Sequence, residues 1–325
     1  PDLAVPACRL YLERHPKADA AARYCYNGPA FRFQPQGADA AHPREFRQAG
    51  IECFGASDPD TADAEVLALM IGALASAGMR DHQLRIGDLG LVAALMQSVE
   101  MPERWRHRLR QSFFRPEAFR AELARLVEGP GEVLRGLPMD LMAKLDPAEP
   151  VSAEAEVEGY LAAERIEPVG ARSIREITEG LMAFAADAKA RPLPKASADL
   201  VEAYLQITAP AADAPARIHS LIGTGNSAVD AALGHYEARL AAIRRQGVSL
   251  DGVIFSADFG RNLEYYTGFV FEIALPPLGF ASPIAGGGRY DRLLSDVGAP
   301  RAVPAVGAAI HTERLLAALA KRASA

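Results

Sequence analysis

Apolar and polar positions alternate along two early segments, 23–33 and 48–54, both rich in aromatic residues. A period of two predicts two antiparallel strands. The Gly/Pro/Ala/Asp-rich stretch between them is longer than a hairpin loop, and long loops are more often functional than idle. Over 62–77 the period becomes helical, with Val66, Leu67, Met70, Ile71 and Leu74 on one face and Gly78 placed to end the helix. A short strand is expected at 84–86, then several short helices over 89–146, among them 102–114 and 116–127.

Residues 151–250 are Ala-rich and helical in pattern, broken at 192–194 and at 209–215; the second break reads as a loop or linker. Strand-like runs return at 252–257, 268–275 and 303–310, and Thr312 is placed to cap a last helix over 313–322. Strands at both ends with helices between them predict an α+β fold, a mainly antiparallel sheet flanked by helices, with an inserted helical module. The expected division is 1–90 for the first part of the core, 91–250 for the helical region with the inserted module, and 251–325 for the second part of the core.

Composition narrows the class. The 325 residues are 50% hydrophobic and 23% charged, as in globular proteins, with a net charge of −6. Lys and Arg are scattered, and the basic stripe that grips a nucleic-acid backbone is not seen. Three cysteines (Cys8, Cys25, Cys53) are too few and too far apart for a disulfide framework or a Cys-based zinc site, and are expected as buried free thiols. The seven histidines show no ligand spacing, so no metal or cofactor is expected. No apolar run reaches the ~20 residues that span a bilayer and no signal peptide is seen, so the expected location is the cytoplasm. Trp105 is expected to pack beside a charged helix face. The chain opens at Pro1-Asp2 without Met, and an N-terminal segment is expected to precede this numbering.

Four segments carry the candidate chemistry. They are Asn27-Gly-Pro-Ala-Phe-Arg-Phe-Gln34 with Arg44-Glu-Phe-Arg-Gln-Ala-Gly-Ile-Glu52, then Arg261-Asn-Leu-Glu-Tyr-Tyr-Thr-Gly268, Ala285-Gly-Gly-Gly-Arg-Tyr-Asp291 and Val306-Gly-Ala-Ala-Ile-His-Thr-Glu-Arg314. In this order they resemble the histidyl-tRNA synthetases. The first is similar to motif 2 of class II synthetases, the second to the histidine-specific signature, the third to the glycine-rich segment after it, and the last to motif 3. The resemblance covers most of the chain and implies the class II sheet and a pocket for histidine.

The residue types suit that ligand. Arg261 is a planar, fixed charge for the carboxylate. Glu52 and Tyr266 are matched to the two imidazole nitrogens, and Asp2 and Gln48 to the ammonium. Arg32 and Tyr265 belong to the same implied pocket, and three consecutive glycines, Gly286 to Gly288, allow close approach of backbone to ligand.

Departures from the synthetase pattern bear on activity. The acid of Arg-x-Glu in motif 2 is replaced by Gln34, and the loop beyond it carries Asp39 where a phosphate-binding cation is wanted. In motif 3 the small residues before Glu-Arg are replaced by His311 and Thr312, whose bulk intrudes on the nucleotide floor, while Arg314 is kept. Eleven residues follow Arg314, so the anticodon-binding domain of the synthetases is not expected. A degenerate ATP site (Gln34, His311, Arg314) beside a kept histidine pocket resembles the synthetase-like regulatory subunits of short-form ATP phosphoribosyltransferase. The resemblance implies a protein with no catalytic residue of its own, self-association as a dimer, the catalytic subunit as partner, and histidine as feedback effector in the first step of histidine biosynthesis. The alternative is the catalytic core of a histidyl-tRNA synthetase, which would adenylate histidine.

Overall fold

A computed structural model of the chain describes residues 3–33, 37, 43–129, 138–146, 148–167, 172–260, 265–275 and 279–323. They divide into two compact units, Pro1–Ser98 with Leu200–Ala325, and Val99–Asp199.

The first unit is built on an eight-stranded sheet: β1 (Ala22–Phe31), β2 (Glu45–Phe54), β3 (Gln83–Asp88), β4 (Thr208–Pro210), β5 (Ile254–Ser256), β6 (Phe269–Ala274), β7 (Ala285–Arg289) and β8 (Ala305–His311). Their spatial order is β1-β2-β8-β7-β6-β3-β5-β4. Every neighbouring pair is antiparallel except β3 and β5. The expected α+β class and mainly antiparallel sheet are therefore present. The helices in chain order are α1 (Ala4–Arg14), α2 (Pro59–Ser76), α3 (Leu89–Ser98), α4 (Glu103–Ser112), α5 (Pro116–Glu128), α6 (Met139–Met142), α7 (Pro150–Ala163), α8 (Ile174–Lys189), α9 (Lys195–Leu205), α10 (Ala214–Ile222), α11 (Ser227–Arg245), α12 (Leu293–Asp296) and α13 (Thr312–Ala323). Among the described residues no helix is long and apolar enough to cross a membrane.

Local chemistry explains where pattern and structure differ. The helix expected from 62 begins at Pro59, because its first turn is polar: Asp58 accepts from the Thr61 N–H at 3.2 Å, and Pro59 needs no donor there. The glycine-rich segment 285–289 is a central strand despite its low strand propensity. A Cβ on Gly287 would collide with the Gly307 carbonyl and Ala308, and one on Gly288 with Val270, so close packing overrides propensity. The stretch expected as a linker after 208 supplies β4, with Pro210 tolerated because β4 is the last strand of the sheet. Cys8 and Cys53 are buried free thiols, but Cys25 is exposed, since β1 is the other edge strand.

Successive side chains along each strand leave opposite faces of the sheet. On one face, Arg289 of β7 meets α2 and α11 through charge. Arg239 of α11 donates to Asp63 at 2.8 Å and Asp88 at 2.5 Å, and to Asp60 at 3.2 Å. Arg289 donates to the other Asp63 oxygen at 2.6 Å, to Asp291 at 2.9 Å and to the Pro59 carbonyl at 2.8 Å. Asp63 is fully buried. Burial alone would lower the Arg239 guanidinium, but Asp88, Asp63 and Asp60 together hold it above its usual range. The cluster joins α2 and β3, before the second unit in sequence, to α11 and β7, after it.

Among the described residues, the regular elements of the second unit are all helices. Trp105 and Leu109 of α4, and Phe119, Leu123 and Leu126 of α5, are buried at helical spacing. A second cluster gathers Leu141, Leu145, Ala153 and Val157. Ser173 and Glu176 form a reciprocal capping box at the start of α8.

Removing one partner of a buried ion cluster strands the rest without compensation. Asp63→Asn is expected to destabilise the chain by ~3–5 kcal/mol in urea unfolding. Glu179→Ala, which breaks the exposed Arg175–Glu179 pair, leaves the unfolding midpoint unchanged. Equal midpoints for Asp63→Asn and the native chain contradict the account of the cluster.

Candidate functional site

The other face of the sheet carries the candidate pocket. Strand register aligns Glu52 of β2 with Gly307 of β8, Gly307 with Gly288 of β7, and Gly288 with Val270 of β6. Cross-strand partners share a face, so Glu52 looks along a row of glycines. A Cβ on Gly307 would overlap the Glu52 carboxylate, and one on Gly50 would overlap the Tyr26 ring. These two glycines are the space in which Glu52 and Tyr26 lie.

Glu52 is 2% exposed, and both its oxygens are held by phenols. Tyr26 donates to Oε1 at 3.0 Å, and Tyr290 donates to Oε2 through a short hydrogen bond. Burial, and then the facing Glu52 charge, push the Tyr290 phenol well above its usual range, so it stays protonated and can only donate to this carboxylate. Tyr266 lies over Gly288, and its ring is 4.8 Å from Tyr265, which is 5.6 Å from Tyr290. Behind this cluster, α1 contributes Cys8 and Tyr11 to an apolar wall with Phe54, Val270 and Leu294.

The structure thus brings together Glu52, Tyr265 and Tyr266. Gln48 lies on the same face, four residues before Glu52; its Oε1 is buried and has no hydrogen-bond partner. Arg32 is exposed, with its guanidinium 5.6 Å from the centre of the Phe46 ring. Asp2, Gln34, Asp39 and Arg261 lie outside the described residues. Tyr26 and Tyr290 were not singled out from the sequence, although Tyr290 ends the glycine-rich motif; its partnership with Glu52 spans 238 positions and has no local signal.

At the far end of β8 the geometry is different. The imidazole of His311 stacks on Phe46, with ring centroids 4.5 Å apart and planes 8° apart. His311 Nδ1 is buried without a hydrogen-bond partner and lies 3.5 Å from Glu313, whose carboxylate accepts instead from the Arg47 N–H at 2.9 Å. Burial, then the Arg314 charge, lower the His311 pKa from 6.5 to about 4, so the ring is neutral near pH 7. Arg314 is turned onto the Pro283 carbonyl at 2.9 Å. Thr312 is the first residue of α13 rather than its cap.

The first cluster offers a buried carboxyl acceptor and aromatic walls in a dry setting, which suits recognition of a heterocyclic N–H. Among the described residues no three His, Cys, Asp or Glu side chains converge as a metal site.

Comparisons with known proteins place the chain in a family and a fold. The family model described as histidyl-tRNA synthetase matches residues 1–156 and 182–315. A protein of Brucella canis named ATP phosphoribosyltransferase regulatory subunit is 33% identical over 319 residues, 98% of this chain and 82% of that protein. One of Brucella anthropi with the same name is 32% identical over 317 residues, 97% of this chain and 81% of that protein. Among solved structures, an ATP phosphoribosyltransferase regulatory subunit/histidyl-tRNA synthetase from Bacillus halodurans superposes with a TM-score of 0.63 at 24% identity, covering 98% of this chain. A histidyl-tRNA synthetase from Nostoc superposes with a TM-score of 0.59 at 19% identity, covering 99%. This chain spans 64% and 59% of those two structures, and at these identities they establish the fold.

Two expectations follow. Tyr290→Phe leaves a buried Glu52 oxygen short of its donor and lowers stability by ~1–3 kcal/mol in urea unfolding, while Gly307→Ala destabilises by at least as much because the carboxylate has nowhere to go. An unchanged midpoint for both contradicts the packing. The second concerns pH. A histidine in the unfolded chain takes up its proton near pH 6.5, but folded His311 does so only near 4. Its contribution is therefore complete above pH 6.5 and is lost as pH falls toward 4, by on the order of 3 kcal/mol. Unfolding measured across this window falls less steeply in His311→Gln, and identical slopes overturn the assignment.

Proposed function

The chain belongs to the ATP phosphoribosyltransferase regulatory subunit family, which carries the histidyl-tRNA synthetase fold, and we propose that it senses histidine for that enzyme. It is a non-catalytic subunit of a glycosyltransferase complex that acts in the first step of histidine biosynthesis. Its partner in this reading is the catalytic subunit, which it activates in a hetero-oligomeric assembly. The subunit pairs with itself as a dimer, acts in the cytoplasm without nucleic acid, membrane or cofactor, and takes histidine as its allosteric effector.

The observation that carries the reading is the Glu52 carboxylate, fixed by two phenols beside Tyr265 and Tyr266. A carboxyl acceptor held this way recognises an imidazole N–H, with Tyr266 for the second ring nitrogen. Gln48, with its unpartnered oxygen, and Asp2 take the ammonium, and Arg261 takes the carboxylate. Arg32 completes the set assigned to the ligand. A ligand donor at Gln48 would satisfy a buried acceptor that otherwise lacks a partner.

The His311–Phe46 stack supports retirement of the ATP site. An imidazole already occupies that face of the Phe46 ring, so a purine cannot stack there while His311 keeps its place. Gln34 and the turned Arg314 belong to the same degenerate site. The relatives' names do not favour the alternative of a histidine-adenylating core.

If histidine binding shifts the assembly toward an inhibited arrangement, coupling is reciprocal. Titration of histidine into the complex is expected to show ~5- to 150-fold weaker binding when substrates of the catalytic subunit are present. Equal affinity with and without those substrates would sink the allosteric reading.

A further inference from the structure

The second unit holds a cluster of charge that the histidine reading does not use. Arg104 and Arg108 lie one turn apart on α4, facing Glu122 and Arg125 of α5 and Phe184 and Asp187 of α8. Glu122 is committed to Arg125, which grips it with two nitrogens at 2.9 and 2.7 Å. Glu122 also stands 2.9 Å from Arg108 Nε. One oxygen of the buried Asp187 lies 3.3 Å from Arg108 and 3.8 Å from Arg104. Arg104 stacks over Phe184 at 4.2 Å.

Distance alone makes these contacts look satisfied, but direction does not. Arg104 Nη1, Arg108 Nε, Arg108 Nη2 and the neighbouring Trp105 Nε1 are all buried with no hydrogen-bond partner, as is Asp187 Oδ2. Three misdirected guanidinium donors on α4 face two carboxylates, and the three guanidiniums of Arg104, Arg108 and Arg125 outnumber those carboxylates by one charge. Burial, with Arg125 and Arg104 adding to it, outweighs Glu122 and Asp187 and holds the Arg108 guanidinium below its usual range. A buried donor without an acceptor is destabilising, and guanidinium forks are matched in geometry to tetrahedral oxyanions. The side chains of Arg104, Arg108 and Arg125 keep 29%, 23% and 22% exposure, so the cluster reaches solvent.

We propose that Arg104 and Arg108, backed by Arg125, form a binding site for a phosphate-class oxyanion, which takes the position between the two guanidiniums that Asp187 now fills from one side. Asp187 supplies a single oxygen with poor alignment; an oxyanion offers three or more acceptor directions and meets the idle N–H groups. Asp187 then acts as an internal competitor that keeps the arginines assembled in the empty state.

The test is isothermal titration of the full chain with inorganic phosphate, pyrophosphate and AMP, against acetate at matched ionic strength. Saturable binding of the phosphate compounds is expected, and Arg104→Gln or Arg108→Gln weakens it roughly tenfold or more. Asp187→Asn keeps the arginines, removes the competitor and tightens binding. Arg175→Gln, at an exposed position on α8, leaves it unchanged. Equal affinity for phosphate and AMP supports a site for the free ion; tighter AMP supports a nucleotide-borne phosphate. Heats no larger than with acetate overturn the proposal. So does native-like affinity in both Arg108→Gln and Asp187→Asn, and the second variant keeps the test decisive where loss of an arginine impairs folding.

Discussion

The buried carboxylate of Asp63, shared between Arg239 and Arg289, is the contact on which the rest of the core depends. The second unit interrupts the first in sequence, so the sheet is assembled from segments separated by about a hundred positions. Apolar packing brings such segments together without fixing their register. Paired guanidiniums and carboxylates are directional, and they leave a buried charge if any partner is misplaced. Here they lock α2 and β3 against α11 and β7, on the sheet face opposite the pocket.

That lock has a consequence one residue further on. Arg289 points to the helices and Tyr290, its neighbour, points the other way, to Glu52. The residue that anchors β7 therefore stands beside the residue that orients the pocket's acceptor. Gly287, Gly288 and Gly307 let β7 and β8 pack closely and leave the row over which Glu52 and Tyr266 lie. Glycine content that weakens a strand locally is what gives the Glu52 carboxylate and the Tyr26 and Tyr266 rings their place on this sheet.

Much of this was legible in the sequence. Alternation located β1 and β2, strand-like apolar runs located β6 and β8, and the four ordered motifs named Glu52, Tyr265 and Tyr266 before any geometry. Other features were hidden for physical reasons. Strand β7 has almost no side chains to alternate, and β4 is three residues long and ends in proline. Tyr26 and Tyr290 matter only through a partner on another strand. The arginine cluster of α4, α5 and α8 leaves no local signal in the sequence, because helical spacing and tertiary packing, not local density, gather it.

The central claim is that Glu52 reads the imidazole of histidine in a subunit that does no chemistry on it. The most direct measurement is calorimetric titration of L-histidine into the native chain and into Glu52→Gln. The account predicts saturable binding at one histidine per chain in the first and its loss in the second, with both chains folded. Absence of binding to the native chain, or undiminished binding to Glu52→Gln, would contradict it.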